Sequence, residues 1–222
     1  MALQDSLFKL GDTAIANSTE FKYLGVMISN TDSNKMIEHR IASATGKFHE
    51  MKKVFTDHRI RIITRADLLT SFVRSRLMYN CATWEFGSFK IRKLEVEWIR
   101  CLRRLVKGGF RRKNSPPKGM TPEEIKQGKW DYAYVYTNQD IYRITGCEPL
   151  WEYQEKQHLQ WLAHVIRMPN STLQKQTLFL SQRPGKPCRW KRLERRFGLD
   201  AIQIRSTMRN KTSFNRWMNS VY

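Results

Sequence analysis

The sequence predicts a mainly α fold: a short N-terminal β-hairpin region, a helical bundle, then a second, mostly helical subdomain. Three observations predict it. Apolar residues recur at spacings of three and four over long stretches after residue 31. Segments rich in β-formers dominate only the first thirty residues. Two basic loops rich in Pro and Gly punctuate the helical stretches. The 222 residues suit one large domain or two small ones. A hydrophobic fraction of 41% with seven tryptophans supplies the apolar surface that disordered chains lack.

Residues 1–30 read as strands. Ser6-Leu7-Phe8-Lys9-Leu10 runs into the turn pair Gly11-Asp12 and then Thr13-Ala14-Ile15. Glu20-Phe21-Lys22-Tyr23-Leu24-Gly25-Val26-Met27-Ile28 follows, its glycine marking a bulge or a close backbone approach. Residues 31–109 form the bundle. Ile37, Ile41, Ala44, Phe48, Met51 and Phe55 make an amphipathic stripe, with Arg40 and Lys47 among the cations largely off it. Thr64-Arg65-Ala66-Asp67 has the composition of a helix start. Leu68, Leu69, Phe72, Val73 and Leu77 are that helix's apolar set, and Ser88 caps a third helix carrying Ile91, Leu94, Trp98, Leu102 and Leu105. Gly108-Gly109 end it.

Residues 110–120 are the clearest linker, basic and interrupted by Pro116-Pro117 and Gly119. The second subdomain, 121–222, opens on Thr121-Pro122-Glu123-Glu124, a capping box with proline at the first helical position. Trp130, Tyr132, Tyr134 and Tyr136 alternate like a short strand or an aromatic loop. A helix is expected over 149–168, stopped by Pro169. A second basic loop, Arg183-Pro184-Gly185-Lys186-Pro187, precedes helices over 190–197 and 200–217.

Forty Lys+Arg against 20 Asp+Glu give a formal charge of +20. Such a field disfavours self-association and attracts polyanions, so RNA, DNA or an RNA–DNA hybrid is the expected partner. No apolar run approaches the roughly 20 residues of a spanning helix, which argues against a membrane partner. No secretory signal is evident. Cys81, Cys101, Cys147 and Cys188 form no C-x-x-C pair and lie far from metal-ligand spacing, so they read as reduced intracellular thiols with no metal among them.

Several stretches carry a resemblance. Glu20-Phe21-Lys22-Tyr23-Leu24-Gly25 resembles the primer grip of non-LTR (LINE-type) retrotransposon reverse transcriptases, and Glu38-His39-Arg40-Ile41 their first thumb helix. Leu77-Met78-Tyr79-Asn80-Cys81-Ala82-Thr83-Trp84 resembles the family's Y-G-x-x-x-W helix end, with Asn80 in the glycine's place. Leu159-Gln160-Trp161-Leu162-Ala163-His164-Val165-Ile166-Arg167-Met168 is similar to L-x-W-x-G-H-V-x-R-M, with Ala163 for glycine. Arg183-Pro184-Gly185-Lys186 and Arg189-Trp190 resemble G-R-P-x-x-R-W, with Gln182 for the first glycine. Order and spacing together make the match, which runs from about residue 7 to Trp217.

The resemblance implies a primer-grip-like segment and a thumb-like domain whose catalytic palm is missing. That family's polymerase centre needs paired aspartates holding two Mg²⁺ ions. No Asp-Asp pair occurs in this chain. The chain would begin just downstream of that turn, so it reads as a truncated element or fragment of an RNA-directed DNA polymerase. It is expected to be no enzyme alone and to hold no cofactor. The resemblance implies that Phe21, Tyr23, Leu24 and Gly25 hold a primer end, and an intracellular, nuclear location follows from the inferred partner.

Two clusters are the candidate phosphate contacts. Lys90, Arg92, Lys93, Arg100, Arg103, Arg104 and Lys107 run into Arg111, Arg112 and Lys113; Arg183, Lys186, Arg189, Lys191, Arg192, Arg195 and Arg196 form the second, with Trp190 between. Arginine suits phosphate because its guanidinium can make two parallel bonds. Arg40, Lys47 and Arg167 complete the candidate set. Glu155-x-x-His158 with Glu152 has a bundle-metal spacing but only one copy, and reads as a solvated helix face. Glu95 and Glu97 diverge on their helix, and His164 reads as a structural histidine bonded to backbone or stacked near Trp161. Two other function classes stay open: a subunit completing a separate palm, and a repurposed DNA- or RNA-binding protein whose last two helices act as a helix-turn-helix.

Overall fold

A computed structural model describes residues 8–10, 13–15, 18–23, 25–29, 35–84, 89–107, 111–113, 121–126, 132–134, 136–180 and 189–222. The fold is mainly helical. Its contacts divide it into two units, residues 1–79 with 87–150 and residues 80–86 with 151–222.

In the first unit β1 (Phe8–Leu10) pairs antiparallel with β2 (Thr13–Ile15), and β3 (Glu20–Tyr23) with β4 (Val26–Ser29) in the register Tyr23↔Val26. Gly25 turns between β3 and β4 at φ +78°, a left-handed conformation that glycine adopts without steric cost. α1 (Lys35–Glu50) buries Ile37, Ala44 and Phe48, the predicted stripe, and α2 (Lys52–Phe55) adds Phe55. The Phe48 and Phe55 rings stack at 5.2 Å.

A continuous helical stretch comes next: α3 (Ile62–Leu69), a π-helical turn at Thr70–Arg74, then α4 (Ser75–Leu77). It begins before the expected start at Thr64–Asp67, which lies inside the helix. Arg61 precedes it at φ −53° and ψ 140° and makes no side-chain cap bond. A one-turn 3-10 helix at Cys81–Thr83 follows Asn80, which stands at φ 60°. Asparagine tolerates that left-handed conformation better than most residues.

α5 (Phe89–Leu105) buries Ile91, Leu94, Trp98, Cys101, Leu102 and Leu105. The strand β5 (Arg111–Lys113) pairs with β6 (Tyr132–Tyr134), so the expected linker at 110–120 contributes a sheet edge. α6 (Pro122–Lys126) starts on the predicted capping box: Glu124 N donates to Thr121 Oγ1 at 3.4 Å and Thr121 N to Glu124 Oε2 at 3.0 Å. α7 (Asn138–Thr145), not foreseen as a helix, packs on α3 and α5 through Ile141. Trp98 Nε1 donates to the Glu148 carbonyl at 3.3 Å. These contacts tie α7 and Glu148 to the first unit, which takes in residues 87–150. A Pro/Gly loop marks where the chain leaves a helix, whereas a unit ends where its core contacts end.

The second unit is built on α8 (Leu150–Arg167), whose bounds agree with the helix read over 149–168. α9 (Leu173–Leu180), α10 (Arg189–Phe197), α11 (Ala201–Arg209) and α12 (Lys211–Val221) complete it. Leu159, Leu162, Ala163 and Ile166 of α8 meet Trp190, Leu193, Ile204, Met208 and Phe214 in one core. The single helix expected over 200–217 is two. Asn210 is extended, and its side chain accepts from Ser213 N at 3.0 Å, capping α12. The break lets Met208 and Phe214 enter the same core.

Candidate nucleic-acid interface

On β3, alternation puts Phe21 and Tyr23 on one face, where their rings stack at 6.2 Å and stay 58% and 56% exposed. A Cβ on Gly25 would come 3.5 Å from the Tyr79 ring. The Arg40 guanidinium lies 5.6 Å from the centre of that ring. Arg40 itself is 4% exposed and donates to the Arg76 carbonyl at 3.5 Å. Its expected role as a phosphate contact is corrected: position 40 falls on the inner face of α1, one turn from Ile37 and Ala44. Leu24 lies outside the described residues.

Lys47 on α1 is half-buried, bonded to Glu50 at 2.7 Å and 5.5 Å from the Phe72 ring centre. On α5 the buried stripe leaves Arg92 and Arg100 facing solvent, Lys107 is exposed just past its end, and Arg100 pairs with Glu97 at 2.7 Å. Arg104 is half-buried 5.1 Å from the Phe48 ring centre. Arg103 is 5% exposed, its guanidinium donating to the Tyr136 carbonyl at 2.9 Å and to Asn138 Oδ1 at 2.6 Å. It fastens the start of α7, and no phosphate can reach it as expected. Arg111, Arg112 and Lys113 lie on β5, opposite Tyr134, Ala133 and Tyr132.

In the second unit Lys191 and Arg195 are exposed on α10, and Arg192 is half-buried. Trp190 is buried in the core, with the Arg205 guanidinium 4.4 Å from its ring centre, so the expectation that it meets nucleic acid is corrected. Arg189 opens α10; Arg183 and Lys186 lie outside the described residues. Arg167 is exposed but donates to the Met208 carbonyl at 2.9 Å, near the end of α11.

The polar groups on α8 overturn two expectations. Glu155 and His158 are buried, not a solvated face. Arg196 Nε and Nη2 donate to the two Glu155 oxygens at 3.2 and 3.3 Å, and the Tyr222 hydroxyl donates to Oε2. His158 Nδ1 donates to the Ala82 carbonyl at 2.7 Å, and its ring lies 5.8 Å from Trp161. His164 is exposed; the histidine beside Trp161 is His158. Burial, and then the bond to Glu155, push the Tyr222 hydroxyl above its usual range.

Glu95 and Glu97 do diverge. Glu95 accepts from the Tyr142 hydroxyl and, at 2.8 Å, from Leu150 N, while Glu97 accepts from Thr45 at 3.1 Å. Burial and the nearby Glu97 push the Cys101 thiol up to about 12, so it is no nucleophile. Among the described residues no group of three His, Cys, Asp or Glu could hold a metal ion, and no helix is long and apolar enough to cross a membrane.

Arg209, Lys211 and Arg216 are exposed and fall outside both clusters read from the sequence. The signal for them is that residues 201–221 contain no Asp or Glu. The chain matches no family model, no curated protein and no solved structure.

Proposed function

We propose that the chain is a nucleic-acid-binding part of a non-LTR retrotransposon reverse transcriptase, gripping template–primer phosphates and acting on nothing by itself. In this reading β3 and β4 form the primer-grip-like hairpin. α1 to α5 form the thumb-like bundle, and α8 to α12 the C-terminal segment. Mg²⁺ and the catalytic aspartates would belong to a palm outside these residues, and the partner would place the protein in the nucleus.

One observation carries the reading. Core formation uses the apolar faces of α5 and α10 and leaves Arg92, Arg100, Lys191 and Arg195 in water, with Lys107 exposed just past α5, in a chain of net charge +20. Five phosphate contacts would give a salt slope near −4.5, roughly a 500-fold loss of affinity between 50 and 200 mM salt. The test is a salt titration against an RNA–DNA hybrid, duplex DNA and single-stranded RNA. A steep slope with preference for the hybrid is expected. An affinity that stays flat over that range overturns the proposal.

A further inference from the structure

α12 has a composition that stability alone does not explain. Phe214 is buried, Trp217 and Met218 pack on the same core, and Asn210 caps the N-terminus. The opposite side shows Thr212, Asn215, Arg216 and Asn219 to solvent. Asparagine and threonine are poor helix formers, and no Glu stands on α11 or α12 to pair with Lys211 or Arg216. An exposed helix face selected for stability would carry Ala, Glu and Lys. This one carries the residue types that read base edges: Asn pairs with adenine, Arg with guanine, and Thr with either hydroxyl or methyl contacts.

We infer that α12 is a base-reading helix for the major groove of duplex DNA, with Asn215, Arg216 and Asn219 as its reading residues. The inference rests on the polyanion-binding reading for its partner class and goes beyond it in assigning sequence selectivity. Asn215 and Asn219 lie one turn apart, and the stripe from Thr212 to Asn219 is about 10 Å long, the rise of about three base pairs. Arg209 and Lys211, exposed on either side of Asn210, stand where phosphates flank such a helix. Duplex DNA is favoured over duplex RNA because the B-form major groove is wide enough for a helix, whereas the A-form groove is deep and narrow. α11 is the weaker candidate, although Gly198–Asp200 joins it to α10 through a turn of helix-turn-helix length. Its Gln203 is tied to the Asp200 backbone at 3.2 Å, and Ile202 dominates its outer face.

The test is selection of a random duplex-DNA pool, run beside a folded-RNA pool, with the full chain and with an Asn215→Ala/Asn219→Ala variant. Alanine raises helix propensity at both sites, so the variant keeps its fold. The chain should enrich a motif of about three base pairs and bind it at least about tenfold tighter than random duplex. The variant should lose that preference while its affinity for random duplex stays within about twofold, since neither residue carries charge. Arg216→Lys should likewise lose discrimination at one position while keeping the charge. Three results overturn the inference: tight, salt-dependent binding with no motif, a motif the variant still enriches, or enrichment of RNA alone. The first of these leaves the phosphate grip standing, and absence of any binding removes both.

Discussion

Arg65 shows how a cation in a strongly basic chain can be structural. It is buried, and its guanidinium donates to the carbonyls of Ile60, Phe55 and Leu105 at 3.0, 2.9 and 2.7 Å. One side chain thus closes the ends of α2 and α5, whose last carbonyls have no partner within their own helices. Burial lowers its pKa without discharging it. Arg65→Ala should cost about 3 kcal/mol or more in urea unfolding, because three acceptors, two of them in buried bonds, lose a charged donor. Arg65→Lys should recover part of that, as a single ammonium cannot span all three. Tyr142 makes a pH argument at the same scale. Burial first, then the bond to Glu95, raise its pKa above the usual tyrosine value. A raised acid is held neutral by the fold, so its contribution is complete below the unfolded value near 10 and falls as pH rises past it. Cys101 adds the same sign from about 9 upward. Thermal stability should therefore drop on the alkaline side, and less steeply in Tyr142→Phe. An equal slope in the variant would assign the loss to other groups.

Among the elements, α7 is the most locally specified. Thr137 accepts from Asp140 N at 3.1 Å while Asp140 accepts from Thr137 N at 3.0 Å, and Gly146 ends the helix at φ +68°. Thr137→Ala should cost about 1 kcal/mol, and Gly146→Ala about 1–2 kcal/mol through left-handed strain, both measurable by denaturant midpoint. Yet α7 is not foreseen as a helix from its spacing, since its eight residues offer too few apolar positions to set a period. α1, α5 and α8 are legible because each runs long enough for a buried stripe to repeat. The site divides on the same ground. Exposure of Arg92 and Lys191 follows from their own helix's apolar stripe. Burial of Arg40, Arg103 and His158 depends on partners 36, 33 and 76 residues away. No local pattern carries that information. The Glu155-x-x-His158 pair looks solvated by spacing and is buried because Arg196, Tyr222 and Ala82 come to it.

Over the whole molecule the charge of +20 acts on stability and binding with opposite signs. Excess like charge raises the free energy of any compact state, and salt screens it, since the Debye length shrinks to about 8 Å at physiological ionic strength. Exposed ion pairs such as Arg59–Asp57 and Arg143–Asp140 each contribute little for salt to weaken. Screening of repulsion should therefore dominate, and Tm should rise as monovalent salt goes from about 50 to about 200 mM. Over the same interval, affinity for nucleic acid should fall, because counterions released from the phosphates are favoured less. Measured together on one preparation, a rising Tm with falling affinity is the signature of surplus surface charge held for a polyanion. A Tm that falls alongside affinity would mean that the cations are spent on internal pairing, and the phosphate-gripping reading would lose the observation that carries it.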